Sequence, residues 1–152
     1  MAKKVKKRRL IVHLYAGLGN QQFQYAVAKF LADKYGRELV LGTSYFLKRY
    51  HPVRSQGAYF PYKLARYLDC VKYLSWIEKE LWGIINFRPV FQRLYRSLTR
   101  YCSFFPKLLL ESEVNRKEMF SVDCDLAIYG YFQSVDILKE YERQLSNCFS
   151  KE

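Results

Sequence analysis

The fold is decided by residues 13–36, which read HLYAGLGNQQFQYAVAKFLADKYG. The preceding and overlapping segment 9–15 (RLIVHLY) is short, apolar and rich in β-branched side chains, which predicts a buried strand. From Asn20 the apolar residues recur at helical spacing, at Phe23, Ala26, Val27, Phe30 and Leu31. Gly36 is placed to end that helix, and residues 38–42 (ELVLG) predict a second strand. Strand, glycine turn, helix and strand make a βαβ unit, so the two strands are predicted to be parallel.

Prolines and glycines, which interrupt helices and strands, divide the rest of the chain into segments. Residues 43–62 contain two prolines and a glycine and are predicted to be irregular. Residues 63–105 have helical spacing, interrupted at Pro89. Residues 125–134 predict a strand that breaks at Gly130, and residues 134–149 predict a helix capped by Ser134. The predicted fold class is α/β, with a parallel sheet, residues 9–15 at its centre, 38–42 beside them and a largely helical middle segment.

The length and the composition of the chain indicate a globular protein. The chain has 152 residues, of which 50% are apolar and 18% aromatic. No apolar run approaches the roughly 18–20 residues of a membrane span. The basic start MAKKVKKRRL is followed by too short an apolar run for a signal peptide, so a cytoplasmic protein is predicted. The four cysteines are too far apart for a CxxC pair and are predicted to be reduced, mostly buried thiols: Cys70, Cys102, Cys124 and Cys148.

The charge is strongly basic. The net charge is +12, from 26 Lys and Arg against 14 Asp and Glu. One group of cations lies within residues 3–9 and a second within residues 88–107. Such charge favours anionic partners, namely nucleic acid, acidic lipid or a nucleotide diphosphate. Residues 1–8 are predicted to be a disordered basic head, and residues 9–152 the folded lobe.

The glycine turn is a candidate anion site. The first amides of a helix have no internal partners, and with the helix dipole they attract a phosphate. The turn is not a P-loop, because no GK[ST] follows. It is not the dinucleotide fingerprint either, because Gln22 stands where the third glycine is expected. The pattern alone fits both an anion-binding turn and a plain tight connection.

Two longer strings are more specific. Residues 17–32, GLGNQQFQYAVAKFLA, resemble the opening motif of the α-1,2-fucosyltransferase family (glycosyltransferase family 11), which reads roughly GGLGNQ[ML]FQYAFARALA. Residues 130–138, GYFQSVDIL, resemble that family's GYFQS-x-x-[YF] motif, and LVLGTSYF (39–46) is similar to its L-x-L-D-x-S-x-F. The chain departs from the family at Ala16, Gln22 and Gly42. Replacing a glycine by Ala16 is a mild change if that residue takes a negative φ.

The resemblance implies the N-terminal Rossmann-like lobe of a GT-B-type glycosyltransferase. The reaction it implies is transfer of fucose from GDP-fucose to a terminal galactose of a glycan, with inversion and without a metal or other cofactor. The family's next motif, H-x-R-R-G-D-Y, does not occur in the sequence. The donor-binding C-terminal lobe is therefore predicted to be absent, and the chain to be a truncated fragment that is inactive alone.

The resemblance also supplies the candidate cleft residues. They are Gly17, Gly19, Asn20 and Gln21 from the first motif, and Gln133 and Ser134 from the second. Asn20 is predicted to donate to a phosphate or sugar oxygen and also to cap the helix. Gln133 and Ser134 either line the same cleft or shape the turn. His13 is predicted to be a satisfied core histidine and His51 lies in a loop near Arg54, so no catalytic base is assigned.

Two other functions remain open on the sequence. The 14 tyrosines and 11 phenylalanines could stack bases between cations, as in a nucleic-acid-binding module. Their core-like spacing and the lack of a known RNA-binding signature speak against this, so nucleic acid is not an expected partner. A membrane-surface protein would dock through residues 3–9 and the basic segment 88–107. An anionic membrane surface is compatible with the transferase reading and places the protein at the inner face of a membrane.

Overall fold

The computed structural model describes residues 7–46, 72–102 and 104–133. Several predictions fall on residues outside these ranges. They concern the basic residues 1–6, the irregular segment up to residue 62, the helix at 134–149 with its cap Ser134, and His51, Cys70 and Cys148. Cys102 and Cys124, which are described, carry free thiols as predicted.

Five parallel strands form one sheet in the described part of the chain. They are β1 (Arg9–His13), β2 (Glu38–Gly42), β3 (Lys72–Tyr73), β4 (Lys107–Leu110) and β5 (Leu126–Tyr129). Their order is β3-β2-β1-β5-β4, which confirms that β1 is central and that β2 lies beside it. Leu10 pairs with Leu39 of β2 and with Leu126 of β5. The protein is therefore α/β, in an arrangement compatible with a Rossmann-like fold.

Three α-helices occur in the same ranges: α1 (Leu18–Lys34), α2 (Trp76–Phe87) and α3 (Pro89–Thr99). Alternate residues of β1 point to opposite faces of the sheet. Leu10 and Val12 pack in the cluster that includes α1, whereas Ile11 packs in the cluster that includes Trp82 of α2 and Tyr95 of α3. The sheet therefore has α1 on one face and the α2–α3 pair on the other.

The predicted helical segment 63–105 is wrong at residues 72–75. Lys72–Tyr73 form β3, which pairs with β2 at Val40 and Leu41. The physical reason is a capping box at the start of α2, in which Ser75 Oγ accepts from the backbone N of Glu78 and the Glu78 carboxylate accepts from the backbone N of Ser75. This cap starts the helix at Trp76 and leaves the preceding residues extended.

Strand β4 is a second element that the pattern did not predict. Its sequence, KLLL, is too short and too uniformly apolar to show either a helical or a strand period. It pairs along its whole length with β5, from Lys107 opposite Leu126 to Leu110 opposite Tyr129. Its identity as a strand thus depends on the sheet that it joins.

Gly36 ends α1 as predicted, because it takes a left-handed φ of 61° two residues before β2 begins. The next residue, Arg37, is buried and donates to the carbonyl oxygens of Phe120, Val122 and Cys124. These bonds fix the segment that leads into β5. No helix within the described ranges has both the length and the apolar character needed to cross a membrane.

Candidate functional site

The carboxyl ends of the parallel strands all lie at one edge of the sheet. Open α/β folds bind their ligands at this edge, in the crevice outside the strand ends. Here the edge is built by the segments that follow β1, β2, β4 and β5, which are residues 14–20, 43–46, 111–113 and 130–133. Both motif segments of the sequence therefore reach the same edge.

The first turn starts α1 three residues earlier than the predicted cap. Gly17 is the N-cap, with φ −72° and ψ 171°, and no side chain caps the helix. Asn20 lies inside the first helical turn, so the prediction that it caps the helix is wrong. Because the extended backbone of Gly17 already begins the helix, the Asn20 side chain can point elsewhere. Its Oδ1 accepts a hydrogen bond from Nε2 of Gln133, which joins the two motif segments.

Two glutamines of the first motif turn inward. Gln21 is fully buried, and its Nε2 donates to the carbonyl oxygen of Ala16 at 2.8 Å. Gln24 is also fully buried, and its Oε1 accepts from the backbone N of Tyr15 at 3.0 Å. The Nε2 of Gln24 donates to the carbonyl oxygen of Gly130 at 3.2 Å. Gln24 therefore links the segment after β1 to the segment after β5.

Gly19 leaves an open surface above this first helical turn. It is exposed, and a Cβ built on it would meet nothing within 4 Å. Neither close packing inside the protein nor a left-handed φ accounts for glycine at this position. A ligand that approaches the backbone closely would account for it. Gly17, beside it, is half-buried.

Two residues without a glycine's freedom take left-handed backbone conformations at this edge. Ala16, which follows β1, has φ 65°, and Phe132, which follows β5, has φ 56°. The left-handed region costs a non-glycine residue about 1–2 kcal/mol. Ala16 therefore does not meet the condition for a mild change, a negative φ, and the reason is the pair of buried hydrogen bonds made by Gln21 and Gln24 that fix this turn. Strain of this kind concentrates at functional sites.

Replacing Ala16 by glycine is expected to raise the free energy of unfolding by about 1 kcal/mol, because glycine takes a positive φ without the steric cost. Urea unfolding measures the change. The matched control is Ala26→Gly within α1, where glycine is expected to lower the free energy of unfolding by a similar amount. Equal destabilisation by both substitutions would show that Ala16 is not strained.

Four tyrosines form an aromatic cluster at the same edge: Tyr15, Tyr45, Tyr129 and Tyr131. The ring of Tyr15 stacks on Tyr129 and meets Tyr131 edge-on, each at a centroid distance of 4.8 Å. Burial raises the pKa of Tyr129 to about 12 and also raises the pKa of Tyr15, so both hydroxyls are harder to ionise than that of an ordinary tyrosine. Tyr131 remains 46% exposed and gives the cluster a face towards solvent.

A carboxylate lies within this cluster. Glu111 directly follows β4, and its Oε2 accepts from the backbone N of Tyr131 at 2.9 Å. Sequence reasoning did not identify Glu111 or the tyrosines. A signal did exist, because Tyr15 is the last residue of the predicted strand 9–15 and Tyr131 directly follows the break at Gly130 in the predicted strand 125–134. Using it required the strand order, which places those strand ends side by side.

His13 lies in the core, as predicted, but it is not satisfied there. Only 2% of it is exposed, and neither ring nitrogen has a hydrogen-bond partner among the described residues. Its ring packs on Trp82 at a centroid distance of 4.5 Å. Burial lowers the pKa of His13 to about 3, so the ring is neutral under ordinary conditions.

Within the three described ranges, no group of three or more His, Cys, Asp or Glu residues is arranged to hold a metal ion. Comparison with protein-family models, with curated proteins and with solved structures finds no match. The fucosyltransferase resemblance therefore remains a prediction from two short motifs.

Proposed function

We propose that this chain is the N-terminal Rossmann-like lobe of a GT-B-type α-1,2-fucosyltransferase, which transfers fucose from GDP-fucose to a terminal galactose with inversion. The observation that carries the proposal is the hydrogen bond between Asn20 and Gln133. These residues belong to the two motifs that resemble the family, and they are far apart in the sequence. Their meeting at the carboxyl edge of a parallel sheet is what a shared ligand site requires.

The galactose acceptor is assigned to the tyrosine side of this edge. A hexose has hydroxyls that pair with amides and a C–H face that packs on an aromatic ring. Asn20 and Gln133 supply the amides, and the half-exposed ring of Tyr131 supplies the aromatic face. Glu111, held against Tyr131, supplies a carboxylate of the kind that accepts the proton of an attacking hydroxyl.

The donor is assigned mainly to a second lobe. As fucose leaves, negative charge grows on the diphosphate, and Arg, Lys or oriented amides must stabilise it. The family resemblance assigns this task to the H-x-R-R-G-D-Y motif, which this sequence does not contain. Fucose transfer is therefore expected only from a protein that also carries that motif, and the proposal includes no metal or other cofactor. Gly17 and the open surface at Gly19 would face the donor across the cleft.

Acceptor binding tests the proposal on this chain alone. Lactose, which ends in galactose, is expected to bind at millimolar concentration in saturation-transfer NMR, and maltose is not. Tyr131→Ala is expected to weaken lactose binding about fivefold, because an aromatic contact contributes about 1 kcal/mol. The control is Tyr101→Ala, which removes a tyrosine that is 88% exposed next to α3. The proposal fails if lactose does not bind, or if Tyr131→Ala binds it as tightly as Tyr101→Ala does.

A further inference from the structure

Helix α3 and the residues after it carry an unpartnered apolar stripe. Val90, Leu94 and Leu98 recur every four residues and are exposed, with Val90 at 74% and Leu98 at 65%. The stripe continues into Tyr101 and Phe104, which are also highly exposed. The opposite side of the helix is fixed in the protein, because Tyr95 packs on Trp82 and donates to the carbonyl oxygen of Pro106 at 2.7 Å. The stripe must therefore face outward.

The same region is purely cationic in sequence. Between Glu80 and Glu111 there are five cations and no acidic residue. A groove of about 490 Å³ between α3 and β4 is lined by Arg93, Arg96, Arg100 and Lys107, together with Glu113. Arg96 forms an ion pair with Glu113 at 2.6 Å. Within the described part of the chain, the other three cations have no ion pair.

We propose that this surface docks on an anionic phospholipid bilayer. The surface comprises the apolar residues Val90, Leu94, Leu98, Tyr101 and Phe104 and the cations Arg93, Arg100 and Lys107, and is called the α3 face. A helix with an outward apolar stripe and flanking arginines inserts its stripe at the level of the headgroups, and the cations bind lipid phosphates. Aromatic residues such as Tyr101 and Phe104 suit that boundary.

Charge complementarity favours an anionic bilayer over other partners of the α3 face. A second copy of the chain would bring the three unpaired cations of one α3 face against the same three of the other, whereas an anionic bilayer neutralises them and also accepts the apolar stripe. A nucleic acid would satisfy the cations but leave Val90 and Leu98 in water. The inference uses residues other than those of the sugar site, so it does not depend on the proposed transferase function.

Vesicle co-sedimentation of the whole chain tests this docking. Binding is expected to vesicles of equal parts phosphatidylcholine and phosphatidylglycerol, and not to phosphatidylcholine alone. Arg93→Gln/Arg100→Gln is expected to weaken binding about 30-fold, since each cation near an anionic surface contributes roughly fivefold. The matched control Arg116→Gln/Lys117→Gln removes two exposed cations outside the α3 face and is expected to change binding little.

A variant that removes apolar side chains from the α3 face distinguishes a bilayer from other partners. Val90→Ser/Leu98→Ser is expected to weaken vesicle binding at least about tenfold, since each inserted methylene contributes roughly fourfold. Its melting temperature should stay unchanged, because both side chains are exposed. The proposal is overturned if anionic vesicles do not bind, if this variant binds them normally, or if the protein instead forms dimers that lose their stability in this variant. Lactose binding should be the same in all these variants, so that a failure here is separable from a failure of the proposed function.

Discussion

The free energy of unfolding is expected to fall by about 1.4 kcal/mol for each pH unit below pH 6.5, because His13 titrates in the unfolded chain but not in the folded one. By about pH 4 the loss reaches about 3 kcal/mol, a large part of the stability of a small domain. In His13→Leu the part of this loss that falls above about pH 5 is expected to disappear.

The sign follows from the two proton affinities. Unfolded His13 has the ordinary pKa of 6.5, whereas burial lowers the pKa of the folded residue to about 3. Between these values the unfolded state binds a proton that the native state does not, so acid favours unfolding. The carboxylates of Glu78 and Asp125 also have lowered pKa values, held down by bonds from Ser75 and Arg9, but they titrate only below their ordinary values of 4.5 and 3.8. Above about pH 5, the pH dependence of the free energy of unfolding therefore reports on the histidines and not on these carboxylates.

Urea unfolding at a series of pH values from neutral to mildly acidic measures this effect. Leucine suits the site, because the His13 ring packs on Trp82 and its nitrogens have no partner in the described residues. His51→Gln is the control, since it removes the other histidine of the chain and should leave the pH dependence intact. If His13→Leu keeps the full dependence on pH, the ring is not buried in the way described.

Gln24→Leu is expected to lower the free energy of unfolding by about 3 kcal/mol, because it leaves two buried backbone groups without partners and each costs about 1–3 kcal/mol. These groups are the backbone N of Tyr15 and the carbonyl oxygen of Gly130. Leucine is close to glutamine in size, so a cavity adds little. Loss of the Gln24 hydrogen bonds should also make the contact between the turn after β1 and the turn after β5 less stable.

Urea unfolding measures the stability of Gln24→Leu, and hydrogen exchange at the Tyr15 amide reports on the turn. The matched control is Gln22→Leu, a half-buried glutamine of the same helix, which is expected to change stability by no more than about 0.5 kcal/mol. Two variants of equal stability would mean that the Gln24 bridge contributes nothing.

The central βαβ unit could be predicted from sequence because each part has its own local signal. β1 is rich in β-branched residues, α1 has a helical period of apolar residues, and Gly36 ends that helix. By contrast, β3 has two residues and β4 has four, which is too few for a period of apolar residues to show. Their existence depends on pairing with β2 and β5, and pairing is a property of the whole sheet.

The candidate site likewise has a part that could be predicted from local sequence and a part that could not. The two motifs pointed to Asn20 and Gln133, and these residues meet. The left-handed φ of Ala16 could not be predicted, because alanine avoids that region unless buried bonds enforce it. The tyrosine cluster and Glu111 lie at or just after the ends of strands whose order in the sheet cannot be read from the sequence.

Amide chemical-shift mapping with lactose tests most directly whether the two turns form one sugar-binding wall. We expect lactose to shift the amides of Gly19, Asn20, Tyr131 and Gln133, with changes that saturate together at a single dissociation constant. Amides of the α3 face should not move. Shifts at only one of the two turns, shifts confined to α3, or no shifts at saturating lactose would contradict a shared site at the carboxyl edge of the sheet.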